Sequence, residues 1–243
     1  MNESEDQLLL ELARRGASRV VAIHQPNYAP WCGFFAKMVH SDLFVLLDDV
    51  QIPQGRSLVH RTRVAVQGEP RWLSVPCLRS SGMLIKDVAL AGEPWPAKHL
   101  GTLEHNYGNS RYFQAVMDVV RPVLEVPHSG LAELNIRLIR ALATYLEVTT
   151  PFLRSSQLPS SGTGQDRIIS LVKAVNGSTY LSGPGGRAYQ EPEAFEDAGI
   201  ELRVREYVPI PYEQLTSAFL PGLSALDALF NEGPDARSLL RYQ

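Results

Sequence analysis

The chain has 243 residues, 44% hydrophobic and 20% charged, with a formal net charge of −3 and a pI near 6.1. These values fit one large soluble α/β domain, or a domain with a sub-domain, and exclude the basic surplus of a nucleic-acid binder. No apolar run approaches the roughly 20 residues of a membrane span, and two cysteines, Cys32 and Cys77, cannot build a disulfide framework or a zinc site alone, which suits a reduced, cytoplasmic compartment.

Residues 1–18 read as a short amphipathic helix ending at Gly16, a peripheral appendage to a single domain over 19–243. Its acidic start is the wrong order for a signal peptide. Val20–Ile23 is a β-branched strand that Pro26 and Pro30 stop, and the polar cluster His24, Gln25, Asn27 and Tyr28 follows at once. Gly33 opens a helix over Phe34–His40 with Lys37 on the face away from the apolar residues; Leu43–Leu47 is a second strand ending in Asp48, Asp49 and Gln51. Strand, loop, helix and strand within about thirty residues make a βαβ unit, which binds ligands at the carboxyl ends of its strands.

Ser57–Leu78 reads as an antiparallel hairpin with a four-residue turn, QGEP, and another strand is expected at Ile85–Leu90. Helical spacing marks Pro96–Tyr107, Tyr112–Leu124 and Gly130–Glu147. A strand at Thr150–Ser155, a helix at Arg167–Val175 and a strand at Thr179–Ser182 lead into the glycine-rich GPGGRAY. A helix at Pro192–Ala198, a strand at Glu201–Val208 and a last helix over Ser224–Leu240, with a break at Gly233-Pro234, complete the chain. The alternation predicts a Rossmann-like, mostly parallel sheet covered by helices on both faces, with an antiparallel hairpin and helices inserted over about 55–128.

His24, one residue past an apolar strand, is the first candidate catalytic group, since an imidazole titrates near neutrality and can act as base, acid or oxyanion donor. Asp48 and Asp49 could coordinate a metal, hold a ribose or amine, orient His24 or simply cap the turn after the strand; adjacent strand residues face opposite ways, and Asp49 is the preferred one. Gln25, Asn27, Tyr28 and Lys37 belong to the same stretch and are expected to bind substrate, with Gln51 at the neighbouring strand end. Arg61 and Arg63 share one strand face and could clamp phosphate or carboxylate. Lys98, His99 and Tyr107 follow on a helix, and Ser182 and Tyr189 flank the glycine loop, which lacks both the GxGxxG and P-loop lysine patterns. Ser224, Asp227 and Asn231 fall on one face of the last helix, which either borders the cleft or is merely capped by Ser224. Cys32, between Trp31 and Gly33, is read as a packing residue and expected to be dispensable.

The stretches HQPNYAPWCGFFAKM, DLFVLLDDVQ, the KHL and NY around His99 and Tyr107, TYLSGPGGRAY and FLPGLSALDALFNEGP stand in an order that resembles the WbqC-like family over about Val20–Leu240. Cys32 departs from that pattern, where an aliphatic residue is usual, and so does His60, where an asparagine is usual. The resemblance implies a biosynthetic tailoring enzyme of surface-glycan or natural-product gene clusters, an acyltransferase or aminoacyltransferase. Its donor would be a CoA thioester or acyl-carrier protein, its acceptor a small amine or amino sugar, with no cofactor, no nucleic acid and room for a homo-oligomer. The opening strand, polar loop and glycine-initiated helix are also similar, at fold level only, to nucleotidylyltransferases, which keeps nucleotidyl transfer or ATP-dependent ligation as an alternative. A non-catalytic sugar or nucleotide binder would use the same cleft.

Overall fold

The computed structural model describes residues 18–55, 57–92, 94–187 and 190–243, so the expected N-terminal helix lies outside the described residues. Five parallel strands form the central sheet: β1 (Val20–His24), β2 (Leu43–Leu46), β7 (Phe152–Arg154), β8 (Thr179–Ser182) and β9 (Glu201–Val204). Their spatial order is β7-β2-β1-β8-β9, so in chain order the sheet runs third, second, first, fourth, fifth. This is the doubly wound arrangement that the strand–helix alternation predicts.

The central strands β1 and β2 are apolar on both faces because helices cover both. Val21, Ile23, Leu43 and Val45 point to one layer, where they meet Ile168, Leu171 and Val172 of α5 (Gly164–Ala174) and Phe195 of α6 (Pro192–Asp197). Ala22, Phe44 and Leu46 point to the other and join α1 (Cys32–Val39), α4 (Leu131–Tyr145) and α7 (Ala225–Glu232). Close approach of the α5 layer to β1 requires Gly177, where a Cβ would stand 2.5 Å from Val21 Cγ2.

Between β2 and α4 the chain inserts a hairpin of β3 (Arg61–Val66) and β4 (Glu69–Ser74), a small pair of β5 (Cys77–Leu78) with β6 (Ala89–Leu90), and helices α2 (Trp95–Tyr107) and α3 (Phe113–Leu124). The turn is tighter than the expected QGEP: Gln67 and Gly68 take φ of 52° and 78°, as a two-residue type I′ turn needs, and Glu69 and Pro70 already pair with Val66 and Ala65. The strand expected over Ile85–Leu90 is mostly a 3₁₀ turn, Ile85–Asp87, because the amides of Ile85 and Lys86 bond to the Val50 and Asp48 carbonyls instead of to a strand. The last helix ends at Glu232; Gly233, at φ 58°, turns the chain into a 3₁₀ segment, Gly233–Leu239.

Candidate functional site

Backbone pairing creates the cleft. β1 pairs with β2 from Val21 to His24, but with β8 only as far as Ala22, opposite Leu181. Beyond that point β1 and β8 part, although β8 stays paired with β9 through Ser182. The parting lies where the strand order reverses, the place at which open α/β sheets bind ligands. It opens a crevice of about 610 Å³ with His24, Gln25 and Lys37 on one side and Ser182 with Gly183–Gly186 on the other.

His24 Nδ1 lies 2.9 Å from the Gln25 carbonyl oxygen, which can only accept, so the ring carries its proton on Nδ1 and presents the Nε2 lone pair. The ring packs edge-on against Phe34, with centroids 5.1 Å apart. Burial, and then the charge of Lys37, push its pKa down to about 4, so the imidazole is neutral at physiological pH. Lys37, on α1, is 7% exposed. Its ammonium donates to the Ile23 carbonyl at 2.8 Å, beside the point where β8 leaves β1, and sits 5.8 Å from the Tyr180 ring centroid. Burial lowers its pKa to about 7, so this lysine, not the histidine, titrates near neutrality.

The loop after β1 is held from several distant segments. Asn135 of α4, fully buried, donates to the Pro26 and Val59 carbonyls at 2.8 and 2.7 Å. The Tyr28 amide donates to Leu58, and its hydroxyl meets His99 Nδ1 at 2.9 Å. Thr62 and Ser224 both donate to the Ala29 carbonyl at 2.8 Å, which fixes Ala29 at φ 39°, a left-handed value unusual for alanine. Gly33 lets Trp31 fold across the start of α1, since a Cβ there would lie 2.6 Å from the indole ring.

His24, Gln25, Lys37 and Ser182 therefore share the crevice. Asn27, Tyr28, Arg61 and Arg63 line a neighbouring pocket of about 400 Å³, and Trp31 and Leu58 border both cavities. Asp49 is not brought to His24: it pairs with Arg167 and accepts from Ser155 Oγ. Asp48, fully buried, pairs with Arg154 at 2.7 Å and accepts from Ser156. Both carboxylates face the β7 side of β2, away from the parted strands. Gln51 and Lys98 are exposed outside both cavities.

The remaining candidates form an internal scaffold. Tyr107 donates to Asp227 at 2.8 Å and accepts from the Ala65 amide. Asp227, 1% exposed, also accepts from Tyr212 and Gln214, and its carboxyl is raised by burial. Ser224 caps α7 through the Leu226 amide, and Asn231 donates to the Asp227 carbonyl. Tyr189 lies outside the described residues. Cys32 is buried, and its thiol is pushed up to about 12 by burial and then by Asp227, the state of an inert packing residue.

Sequence reasoning missed the far wall of the crevice: Arg205 and Tyr207, just after β9, and Tyr242 near the end of the chain. No periodicity marks these irregular segments; the carboxyl end of β9 was the available signal. Among the described residues no three His, Cys, Asp or Glu side chains stand together as a metal site, and no helix is long and apolar enough to cross a membrane.

A protein of Mycobacterium tuberculosis, Rv1507c, described as uncharacterized, is 32% identical to the chain over 227 residues, spanning 91% of this chain and 97% of that relative. No solved structure gives a significant match. The model of the WbqC-like protein family matches residues 25–239, from the loop that follows His24 to the 3₁₀ segment after α7, and the chain belongs to that family.

Proposed function

We propose that the protein is a biosynthetic transferase that moves an acyl or aminoacyl group from a thioester to an amine. The observation that carries the reading is His24 at the parted strands, neutral and with its Nε2 lone pair presented, beside a lysine whose pKa has fallen to about 7. In the reaction the amine nitrogen attacks the thioester carbon and forms the C–N bond. His24 Nε2 takes the proton that the attacking nitrogen must lose, the C–S bond breaks, and the thiolate leaves with that proton. The nitrogen becomes far more acidic as it adds to the carbonyl, which narrows the gap to a base of pKa about 4. Burial lowers His24 most, the charge of Lys37 lowers it further, and neutralisation of Lys37 above about pH 7 relieves that second part.

The test is thiol release from a panel of acyl- and aminoacyl-CoA thioesters with small amines and amino sugars. Amine-dependent release is expected, lost about 100-fold or more in folded His24→Ala. Absence of such release, or full activity in the variant, would overturn the reading. A second reading, nucleotidyl transfer or ATP-dependent ligation, is favoured by the doubly wound strand order and by the glycine segment Gly183–Gly186 at the strand-order reversal. ATP with magnesium at about 100 times its Kd would then stabilise the fold by about 2.7 kcal/mol.

A further inference from the structure

We infer that the pocket beside the crevice is a phosphate-binding subsite, built by Arg61, Arg63 and Trp72 on the outward face of the hairpin. It concerns binding alone and holds whichever chemistry the crevice performs. Strand alternation sets the arrangement. Thr62 and Val64 point inward with Leu73 and are buried, which leaves Arg61 and Arg63 on the other face, with Trp72 paired directly opposite Arg63. Trp72 keeps 45% of its surface exposed, a large share for an indole.

Both guanidinium groups lie on that indole: the Arg61 carbon is 4.1 Å from the ring centroid and the Arg63 carbon 5.6 Å. The stack holds two long side chains in place before any ligand arrives, so little freedom is lost on binding. Arg63 spends one donor on the Gly222 carbonyl at 3.1 Å, while Arg61 Nε is buried and has no hydrogen-bond partner. No acidic side chain among the described residues lines the pocket. The excess positive charge also reaches His60, whose pKa falls to about 4 through burial, then Arg79, then Arg61. Two cations without a counter-charge, at the mouth of a mostly apolar cavity of about 400 Å³, suit a phosphate monoester carried on an apolar or planar body. Because Trp31 and Leu58 border both cavities, a ligand anchored here by its phosphate extends toward His24.

Two sources share this chemistry, a nucleotide and a phosphopantetheine arm. The experiment titrates the whole chain with AMP and with 4′-phosphopantetheine, following tryptophan fluorescence, beside adenosine and pantetheine as the same bodies without phosphate. At least one phosphorylated probe should bind about tenfold or more tighter than its partner, and which one does so identifies the source. Arg61→Ala should weaken that probe about ten- to hundredfold, the loss of a charge-assisted bond to phosphate. Arg61→Lys keeps the charge without the planar fork and should fall between, which covers the case in which the alanine variant fails to fold. Equal binding with and without phosphate, no binding of either phosphorylated probe, or unchanged affinity in a folded Arg61 variant would overturn the assignment.

Discussion

Replacing Lys37 with methionine is expected to make the protein more stable and to remove the pH dependence of its activity near neutrality. Methionine fills nearly the same volume without a charge. The fall from the ordinary 10.5 to about 7 corresponds to about 5 kcal/mol of penalty for holding the charged form in the folded state, at about 1.36 kcal/mol per unit. Methionine also loses the bond to the Ile23 carbonyl, which costs about 1 to 3 kcal/mol because that carbonyl stands where β8 has left. The balance is a gain of about 2 to 4 kcal/mol in acid and neutral solution, or roughly 4 to 16 °C in Tm for a chain of this size.

The pH dependence separates this account from ordinary repacking. Below pH 7 the lysine holds its proton in both folded and unfolded states, so the full penalty is present. Between about 7 and 10.5 the unfolded chain binds a proton that the folded chain lacks, and wild-type stability climbs with pH. The advantage of Lys37→Met should therefore be greatest below pH 7 and should vanish or reverse near 10.5. Urea denaturation of both proteins at about pH 6, 8 and 10 measures it. An advantage constant with pH, or a variant less stable than wild type at pH 6, would refute the reasoning.

The other expectations concern the same site. In wild type, kcat/KM should rise with pH through an apparent value of about 7 that belongs to the His24–Lys37 pair, and Lys37→Met should abolish that step and hold the activity near the wild-type plateau on both sides of it. His24, neutral in the fold down to about pH 4 but protonated below 6.5 when unfolded, should cost wild type up to about 3 kcal/mol as pH falls from 6.5 to 4; an acid limb equally steep in His24→Gln would contradict this. Cys32→Ala should keep turnover within about threefold and lose about 1 kcal/mol of stability, read by thiol release and urea melts; a hundredfold loss would make the thiol catalytic. Asn135→Ala strips the donor from two buried carbonyls and should cost about 2 to 4 kcal/mol by denaturation, with retained stability showing that the loop does not depend on it.

The sheet was legible because its strands are short apolar runs between punctuating residues, and a parallel sheet buried on both faces leaves just that trace. Turn details were less so: QGEP holds a glycine and a proline among polar residues, and only backbone pairing reveals that Gln67 and Gly68 suffice. The place of the site followed from topology, since His24 ends the first strand. Its partner did not. Asp49 is near in sequence to a strand adjacent to β1, yet Arg167 and Ser155, more than 100 residues away, claim its carboxylate. An ionisable side chain goes to the nearest buried counter-charge, and which charge is nearest is a tertiary fact.

The motif around Ser224, Asp227 and Asn231 illustrates the same limit from the other direction. A run that reads as a polar helix face bordering a cleft turns out to support one. Ser224 holds the Ala29 carbonyl, the Ala225 amide holds Pro30, and Asp227 gathers two tyrosines and a glutamine from separate segments into one buried network. His99 acts likewise through Tyr28. The loop between His24 and Trp31 contains two prolines and a left-handed alanine, and it makes few hydrogen bonds of its own. Its shape is imposed by α2, α4, the hairpin and α7 together. Residues far apart in the chain are thus tied to one short loop, and their side chains determine the site without any of them needing to touch a substrate.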